Sequence, residues 1–357
     1  MNAPSVYALV LAGGSGTRFW PASRAARPKQ LLPLTGPEPL IRRTVLRVLP
    51  LVGDWSRVLV AAGTRVLGAT REIVPEVAED AMLIEPAARN TAPCIAWASA
   101  VIARRDPDAI VMVLPSDHHV ADEDAFRQAL SVAIESARGG AITTIGIRPT
   151  RPDTGFGYLE VEPGPGPVLR GVRFVEKPDR EKAEAFLAGG RHLWNGGMFI
   201  FRARDMVDAV RAHAPEIASR VDELDAAAKA GKEAEVLARV FPTMPSISID
   251  YAVMERLSSL AVVPGDFGWS DVGSWQAAYE LSEKDADQNG AAPGAYYVDA
   301  RGNLVVGASA KKAIVLLGVE DLVVVDTEDA LLVVPRSRSQ DVRAAVDLLS
   351  KARPGVV

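Results

Sequence analysis

Four continuous apolar runs constrain the fold of this chain more than any other feature of its sequence. A strand buried on one face alternates apolar and polar residues, whereas an unbroken apolar run of this length is typical of a strand buried on both faces. Longer segments with apolar residues at helical spacing separate the runs. This alternation predicts an α/β fold with a doubly wound, mostly parallel, Rossmann-like sheet. The runs are Tyr7 to Gly13, Arg57 to Gly63, Ala109 to Pro115 and Ala141 to Ile147.

The pattern changes twice further along the chain. Between Gly155 and Ile200 the segments are short, aromatic and interrupted by glycine, which favours an antiparallel insertion. The polar, glycine-rich stretch from Asp285 to Gly294 has the composition of a linker. A chain of 357 residues is long enough for one large and one smaller domain. We place these domains at residues 1–285 and 286–357.

The smaller domain contains four short aliphatic runs at nearly even spacing, which begin at Leu304, Ile314, Leu322 and Leu331. Even spacing of very short strands favours stacked β turns, as in a β-helix, or a small sandwich. An amphipathic helix follows, with Val342, Val346 and Leu349 on one face.

Charge and composition exclude several classes of function. The net charge of -5 gives no reason to expect a nucleic-acid partner. No apolar run approaches the roughly 18 residues of a membrane span, and the first apolar run lacks the basic start of a signal peptide. We therefore expect a cytoplasmic protein with no membrane partner. Cys94 is the only cysteine, which excludes an internal disulfide, and its apolar neighbours favour a buried helix position.

A glycine loop follows the first apolar run. Gly13, Gly14 and Gly16 would let backbone N–H groups point at a phosphate, and Arg18 and Lys29 supply cations nearby. The dinucleotide fingerprint fails because Phe19 stands in place of the third glycine, which argues against a dehydrogenase, and no Gly-Lys-Ser/Thr P-loop is present. The alternative is a tight turn that holds nothing.

The loop and its surroundings carry a family resemblance. The segment LAGGSGTRFWPASRAARPKQLLPL (residues 11–34) resembles the signature of the sugar-1-phosphate nucleotidylyltransferases, and its Trp20, Pro21 and PKQ resemble the mannose-1-phosphate guanylyltransferase branch. The resemblance spans about residues 6–340. It departs from the family at Gly196, where a serine is more common. Later segments agree in order: EPAARNTAP (85–93), LPSDHHV (114–120), GFGYLE (155–160), VEKPD (175–179), WNGGMFIF (194–201), SIDYAVME (248–255) and WSDVGSW (269–275).

The resemblance implies transfer of GMP from GTP to α-D-mannose 1-phosphate, with GDP-mannose and pyrophosphate as products. A sugar phosphate is largely dianionic near pH 7 because its second pKa is about 6. The attack therefore needs neither a general base nor a covalent intermediate, and the enzyme must neutralise charge and align the reactants. The family also implies a short left-handed β-helix in the smaller domain and a homodimer.

The resemblance also implies where the nucleotide binds. Arg18 and Lys29 would contact its phosphates as catalytic cations, while Arg24 would assist them or hold the loop. Glu85 could accept hydrogen bonds from guanine, with Arg89 beside it. The alternative is that residues 85–93 only cap and start a helix. The residues expected to cradle the nucleotide are Leu11, Ala12, Gly13, Gly14, Gly16, Thr17, Glu85, Asn90 and Thr91.

Two carboxylates are expected to hold Mg²⁺. Asp117 follows a buried strand, at the sheet edge where ligands bind, and Asp271 would return to the same place. Two carboxylates with phosphate oxygens suit this hard ion. A helix cap for Asp117 and a turn for Asp271 are the alternatives. We expect His118 and His119 to be packed or hydrogen-bonded loop residues.

The sugar phosphate is expected on the antiparallel insertion. By the resemblance, Glu176 and Asn195 would bind mannose hydroxyls, Lys177 would pair with the phosphate, and Gly157 would let the backbone approach the ring. Asp250 and its neighbour Tyr251 would shape this pocket or buttress it.

Two other hypotheses compete with this one. A nucleotidylyltransferase for another sugar phosphate or base would keep the loop and change the later segments. A catalytically silent paralogue that binds a nucleotide sugar would be expected to lose a phosphate cation or a metal carboxylate. All of these groups are present, namely Arg18, Lys29, Asp117, Lys177 and Asp271.

Overall fold

The computed structural model describes residues 4–14, 16–290, 292–307 and 312–357, so Ser15 of the glycine loop and Ala291 of the expected linker lie outside it. Its strands are β1 (Val6–Leu11), β2 (Val58–Gly63), β3 (Met82–Glu85), β4 (Ile110–Pro115), β5 (His119–Val120), β6 (Thr143–Ile147), β7 (Tyr158–Glu162), β8 (Leu169–Val175), β9 (His192–Arg202), β10 (Leu260–Gly265), β11 (Trp269–Ser270), β12 (Ala295–Val298), β13 (Leu304–Val306), β14 (Ile314–Leu317), β15 (Leu322–Asp326) and β16 (Leu331–Pro335). Its helices are α1 (Leu40–Val52), α2 (Leu67–Ile73), α3 (Thr91–Arg105), α4 (Glu123–Arg138), α5 (Arg180–Gly189), α6 (Ala203–His213), α7 (Pro215–Lys229), α8 (Glu233–Val240), α9 (Ile249–Ala252), α10 (Trp275–Leu281) and α11 (Val342–Ala352).

Nine of the described strands form one sheet, in the order β3-β2-β1-β4-β9-β6-β10-β8-β7. β1, β2, β3 and β4 pair in parallel, and β6 pairs in parallel with β10. The four continuous apolar runs are β1, β2, β4 and β6, which confirms the predicted α/β architecture. Because the carboxyl ends of β1 to β4 share one edge, the loops that follow these strands lie together.

The antiparallel insertion is not set apart from this sheet. Its longest strand, β9, lies between β4 and β6 and pairs antiparallel with both. β7 and β8 continue the same sheet at its far edge. The sheet is therefore mixed, and Asn195 on β9 pairs with Gly146, close to the carboxyl end of β6.

Two groups of helices pack against the sheet: α1 with α4, and α3 with α6, α7 and α9. Cys94 is buried on α3 within this core, as expected. Side-chain caps start α3 and α4, since Asn90 accepts from the N–H of Thr91 and Asp122 accepts from the N–H of Ala125. No helix in the described part of the chain is long and apolar enough to cross a membrane.

The aliphatic runs after residue 294 form β-helix-like coils. Ala295 pairs in parallel with Ile314, and Leu304 pairs in parallel with Val323, so equivalent residues of successive coils are 19 positions apart. β16 then closes the stack by pairing antiparallel with β15. The paired strands β12 and β14 and the trio β13, β15 and β16 are separate sheets. This agrees with the predicted β-helix-like region and not with a sandwich.

The closing helix α11 buries Val342 and Val346, as its pattern predicts. These two side chains share a hydrophobic cluster with Phe19 and Trp20 of the glycine loop and with Trp275. The carboxyl-terminal coils and helix thus pack directly on the segment that follows the glycines.

Candidate active site

The glycine loop is shaped by a close approach between Gly16 and Lys29. Gly16 has a φ of 58°, and a Cβ on it would lie 2.5 Å from the backbone nitrogen of Lys29. The Ser23 hydroxyl donates to the Gly16 carbonyl at 2.7 Å, and the Gln30 side chain donates to the Ala12 carbonyl at 2.7 Å. The loop therefore requires glycine at position 16 and holds the Lys29 segment against β1.

A two-residue ribbon brings the two candidate metal ligands together. β5 and β11 pair antiparallel, with His119 opposite Ser270. Asp117 precedes β5 and Asp271 follows β11, so the pairing places both carboxylates in one cavity. Gly273 keeps this space open, because a Cβ there would lie 2.9 Å from Asp271 Oδ2.

Lys29 connects the two acidic residues. Its ammonium lies 2.8 Å from Asp117 Oδ2 and donates to the carbonyl of Asp271, while only 7% of the residue is exposed. Burial would raise the pKa of the Asp117 carboxyl, but the charge and hydrogen bond of Lys29, together with His118 and a backbone hydrogen bond, bring the pKa below its ordinary value. Burial raises the pKa of Asp271; Lys29 opposes this rise and the Asp117 carboxylate adds to it.

The oxygen donors of this cavity fit Mg²⁺. Within the described residues no cluster of three or more His, Cys, Asp and Glu side chains is arranged to hold a metal. Two carboxylates are, however, what this ion commonly takes from a protein when substrate phosphates and water complete its shell. Lys29 offsets one of the two carboxylate charges, which leaves the other for a second cation.

The candidate base cavity has a volume of about 690 Å³ and lies at the ends of β1, β2 and β3. Gly13, Gly14 and Glu85 line it, as expected from the sequence. Burial raises the pKa of Glu85 to about 7, and a hydrogen bond with the Cys94 thiol opposes that rise. Glu85 can therefore ionise near neutral pH and accept hydrogen bonds in a site largely shielded from water.

Several residues near this cavity are engaged in holding the protein together. Asn90 caps α3, and the Thr91 hydroxyl accepts from the N–H of Ile249 at 2.9 Å. Arg89 donates to the carbonyl of Pro242. Arg24 pairs with Asp329 at 2.7 Å, which corresponds to the loop-holding alternative for this arginine.

A third cavity of about 400 Å³ lies beside β4 and β9 and is the candidate sugar pocket. Asn90, Thr91, Asp117 and Asp250 line it, together with Gly197. Burial raises the pKa of Asp250 to about 6, and the nearby Glu176 charge adds to the rise. Asp250 lines the pocket directly, whereas the side chain of the neighbouring Tyr251 is exposed to solvent.

The four sequence-predicted sugar residues lie together next to Asp250. The Asn195 amide donates to Asp250 Oδ1 at 2.9 Å, and its N–H donates to the Gly157 carbonyl at 2.8 Å. Lys177 Nζ lies 2.9 Å from Glu176 Oε1. Glu176 also lies against Gly157, where a Cβ would come within 2.5 Å of its Oε2. Because Gly157 has no side chain, the Glu176 carboxylate can lie against its backbone.

Gly196 packs tightly beneath this group. A Cβ at Gly196 would lie 2.6 Å from Met198 Cε and 3.3 Å from the Ile145 carbonyl oxygen. The first neighbour is the flexible end of a buried methionine. A serine at this position, common in the family, would require that methionine to move.

His118 is a packed, hydrogen-bonded loop residue, as predicted, whereas His119 lies on the short strand β5. His118 accepts a hydrogen bond from the Trp269 indole at 3.2 Å and packs edge-on against the same ring. Burial lowers the pKa of His118 and of His119 to about 4. Both imidazoles are therefore neutral at physiological pH.

The central cavity, of about 520 Å³, connects the expected phosphate and metal residues. Gly14 lines all three cavities. Gly13 and Glu85 line both the base and the sugar cavity, and Asp117 lines both the sugar and the central cavity. The central cavity is lined by Gly14, Gly16, Thr17, Arg18, Lys29, Asp117 and Asp271, among others. The three cavities therefore meet at Gly14, on the glycine loop.

Sequence reasoning missed two groups of residues at the site. Thr64 and Arg65 line the base cavity after β2, and the edge rule for parallel strands could have identified them. Gln340 and Arg343 line the central cavity, and Val346 lines the base cavity. No local pattern marks these carboxyl-terminal residues, because their neighbours at the site are about 300 positions away.

Comparison with known proteins places the chain in a family. Residues 7–288 match the Nucleotidyl transferase family, and residues 296–349 match the MannoseP isomerase/GMP-like beta-helix domain. The xanthan biosynthesis protein XanB of Xanthomonas campestris pv. campestris (strain B100) is 40% identical over 97% of this chain and 74% of its own length. A mannose-1-phosphate guanylyltransferase of Klebsiella pneumoniae is 38% identical over 96% of this chain and 74% of its own.

A solved structure agrees with these relatives. The mannose-1-phosphate geranyltransferase of Thermus thermophilus is 36% identical, with a TM-score of 0.87 over 97% of this chain and 99% of that one. The match covers both the large sheet and the carboxyl-terminal coils. The chain belongs to the Nucleotidyl transferase family, and it is a sugar-1-phosphate nucleotidylyltransferase of the mannose-1-phosphate guanylyltransferase type.

Proposed function

We propose that this enzyme transfers GMP from GTP to α-D-mannose 1-phosphate and releases pyrophosphate. The observation that carries the proposal is the meeting of three cavities at Gly14, with three cationic side chains and two carboxylates in the central one. A guanine and ribose would occupy the base cavity, the triphosphate the central cavity and the mannose the third. This arrangement supports direct transfer between two bound substrates.

The reaction is an in-line displacement. An oxygen of the sugar phosphate forms a bond to the α-phosphorus of GTP while the bond from that phosphorus to the bridging oxygen breaks, and pyrophosphate leaves with the electron pair. The attacking group is already an anion, so no side chain has to remove a proton. With pKa values of about 4, His118 and His119 are weak bases, which is consistent with a mechanism that uses no base.

The chain's own residues would position the reactants and neutralise their charge. Backbone N–H groups of Gly13, Gly14 and Gly16 would bind the triphosphate, while Arg18 and Lys29 would balance the charge that grows on the leaving pyrophosphate. Lys177 would exchange its bond with Glu176 for the sugar phosphate, and Glu176 would then be free to accept from a mannose hydroxyl.

Asp117 and Asp271 would hold Mg²⁺, which supplies charge neutralisation and orientation for the phosphate groups when bound. The two carboxylates lie in one cavity and Lys29 bonds to both residues. Lys29 would hold the Asp117 carboxylate in position.

Guanine selection would depend on Glu85. Its carboxylate could accept from the guanine N1–H and from the 2-amino group, a pairing that adenine cannot make. The raised pKa of Glu85 indicates that a bound donor pair would stabilise the ionised form.

The proposal extends to assembly and location: a cytoplasmic homodimer. The strands β12 and β14 expose Tyr296, Val298, Val315 and Leu317, and an apolar row of this kind is common at subunit interfaces. Light scattering on the purified chain tests the dimer, because a mass equal to one chain would contradict it.

The reaction is tested by measuring pyrophosphate release with Mg²⁺ for GTP, ATP, UTP and dTTP, each combined with mannose 1-phosphate or glucose 1-phosphate. Release mainly with GTP and mannose 1-phosphate supports the proposal. Release mainly with another pair would refute the substrate assignment. Binding of GDP-mannose without release from any pair would favour a silent regulator.

A matched pair of variants tests the mechanism. Lys29→Met should reduce kcat by about 10²- to 10³-fold, whereas Lys232→Met, an exposed lysine before α8, should not change it. A chiral α-thiotriphosphate analogue of GTP should react with inversion at phosphorus. Retention would indicate a covalent intermediate and would overturn the single displacement.

A further inference from the structure

The carboxyl-terminal helix contributes a cation to the central cavity. Gln340 and Arg343 line that cavity together with Arg18, Lys29 and Asp271. We propose that Arg343 binds the β- and γ-phosphates of the nucleotide and stabilises the pyrophosphate as it leaves. This inference rests on the proposed function, and it adds a catalytic residue from outside the nucleotidyl transferase segment.

α11 is held firmly enough for this role. The Trp20 indole donates to the carbonyl of Val356 at 2.7 Å in a buried position. Trp275 donates to the carbonyl of Trp20 at 3.3 Å and packs edge-on against Phe19, with ring centroids 4.9 Å apart. These contacts hold the segment after α11 and the residues around Trp20. At the start of the helix, Val342 is buried in the cluster that contains Phe19 and Trp20, and the N–H of Gln276 donates to the Ser339 hydroxyl at 3.3 Å. Both ends of α11 are therefore anchored to the segment that follows the glycine loop.

The charge in the cavity calls for a further cation. Lys29 shares its charge between the phosphates and its bonds to Asp117 and the Asp271 carbonyl, so it offsets only part of the triphosphate charge. A nucleoside triphosphate carries about four negative charges at neutral pH. Its α- and β-phosphates contribute about one each, and its terminal phosphate contributes between one and two. Arg18 and Arg343 are exposed and have no ion pair among the described residues, so both guanidinium groups are available for phosphate.

The position of Arg343 suits contact with the leaving pyrophosphate and not with the attacking sugar phosphate. Asp117 lines both the sugar cavity and the central cavity, whereas Arg343 lines the central cavity without lining the sugar cavity. In-line displacement requires the leaving oxygen to depart opposite the attacking oxygen. A cation on the side away from the sugar therefore faces the departing pyrophosphate.

The guanidinium suits this task. Its planar donors match two phosphate oxygens at once, whereas an ammonium provides a point charge. Charge moves onto the pyrophosphate as the bond breaks, so a bidentate donor there binds the transition state more strongly than the ground state. Since Arg343 is exposed and solvent screens its charge, we expect a loss of about 10- to 100-fold, at the lower end of the range for such donors.

The test compares Arg343→Gln with the wild-type full-length chain and with a matched control on the same helix. Lys351→Gln removes one positive charge about 12 Å further along α11, from an exposed position outside the three cavities. Calorimetry measures the binding of GTP and of GDP-mannose, and kinetics measure KM for pyrophosphate in the reverse direction. Arg343→Lys tests whether charge without the bidentate geometry is sufficient.

We expect Arg343→Gln to weaken GTP binding and raise KM for pyrophosphate by about tenfold, to lower kcat further, and to leave GDP-mannose binding unchanged. GDP-mannose contains neither the β- nor the γ-phosphate of GTP, because these leave as pyrophosphate and its second phosphate comes from the sugar. An arginine that only supported the fold would instead affect both ligands equally. Lys351→Gln should match the wild type, and Arg343→Lys should recover part of the loss.

Equal weakening of GTP and GDP-mannose, or unchanged binding and KM for pyrophosphate, would overturn the assignment of Arg343. Calorimetry also separates this result from a failure of the proposed function. If no substrate pair reacts, selective loss of GTP binding in Arg343→Gln would still support the phosphate contact while refuting the reaction.

Discussion

Replacing Gly16 with alanine should disable the enzyme by displacing Lys29. Gly16 has a φ of 58°, and an added Cβ would lie 2.5 Å from the Lys29 backbone nitrogen and 3.0 Å from its Cβ. An ordinary contact needs at least 3.4 Å, so one of the two backbones must move by roughly 1 Å. The left-handed conformation adds about 1–2 kcal/mol of strain for any residue with a Cβ.

A displacement of Lys29 would directly change its contacts with the two acidic residues of the central cavity. Lys29 Nζ lies 2.8 Å from Asp117 and also bonds to the carbonyl of Asp271. A shift of about 1 Å in such a group can lower a rate by about 10²-fold. We therefore expect Gly16→Ala to reduce kcat for pyrophosphate release by about 10²-fold, with circular dichroism unchanged and a melting temperature lower by a few degrees.

Gly53→Ala separates strain from displacement. Gly53 ends α1 with a φ of 80°, and its added Cβ would have no atom within 4 Å. This control should lose about 1–2 kcal/mol of stability and keep its kcat within about twofold. A Gly16→Ala enzyme with near-normal kcat would refute the claim that this close approach positions the lysine.

Three further predictions test the base pocket, the carboxyl-terminal contact and the metal. The folded-state pKa of Glu85, about 7, lies above its ordinary 4.5, so the stability contributed by this group is complete below pH 4.5 and is lost as the pH rises to 7. Without nucleotide, Glu85→Gln should therefore be more stable than wild type by up to about 3 kcal/mol at pH 8 and equally stable near pH 4.5; a pH-independent difference in thermal melts would contradict this. Trp20→Phe should lose about 1 kcal/mol and show faster amide exchange in residues 342–356; unchanged exchange would show that the bond to Val356 does not hold the helix. Asp271→Asn should raise the Mg²⁺ concentration for half-maximal activity at least tenfold; an unchanged requirement would remove Asp271 from the metal site.

The large sheet could be predicted from the sequence because its inner strands are buried on both faces. β1, β2 and β4 consist almost entirely of buried apolar residues, and that burial leaves an unbroken apolar run. The place of β9 could not be predicted in this way. Its pattern identifies a strand, but pairing with β4, about 90 positions earlier, leaves no mark in the local sequence.

The candidate metal site shows a second limit of prediction from the sequence. The resemblance pointed to Asp117 and Asp271, but the strands that bring them together, β5 and β11, have two residues each. Two residues are too few for any periodicity to be recognised. The convergence becomes visible only when His119 is seen to pair with Ser270.

The carboxyl-terminal coils show a third limit of prediction from the sequence. The spacing of their aliphatic runs predicted stacked turns, yet the repeat in the structure is 19 residues and includes β12. β12 was missed because it reads AYYV, with half of its residues exposed, and does not resemble the aliphatic runs. The arrival of Arg343 in the central cavity depends on how the coils pack against Trp20, which is a tertiary contact.

Strained backbone conformations occur in several of the separate segments that form the site. Among the described residues, six that are not glycine have a positive φ, and three of them are Asn90, Lys177 and Val272. Each directly neighbours a residue assigned to binding: Thr91, Glu176 and Asp271 respectively. A branched residue such as Val272 adopts this conformation at a cost of about 1–2 kcal/mol.

Such strain persists only where the surrounding structure imposes it. Asn90 is held by its cap on α3, and the N–H of Val272 donates to the Ser270 hydroxyl at 3.1 Å. Lys177 is held through its bond to Glu176. Thr91 and Asp271 line the cavities, whereas Glu176 lies outside them, near Asp250. Because three separate chain segments meet this cost in and beside the site, the positions of Thr91, Glu176 and Asp271 are set by the fold before substrate arrives. Preorganisation of this kind is what a displacement between two anions requires, since the enzyme contributes alignment and charge and no covalent chemistry of its own.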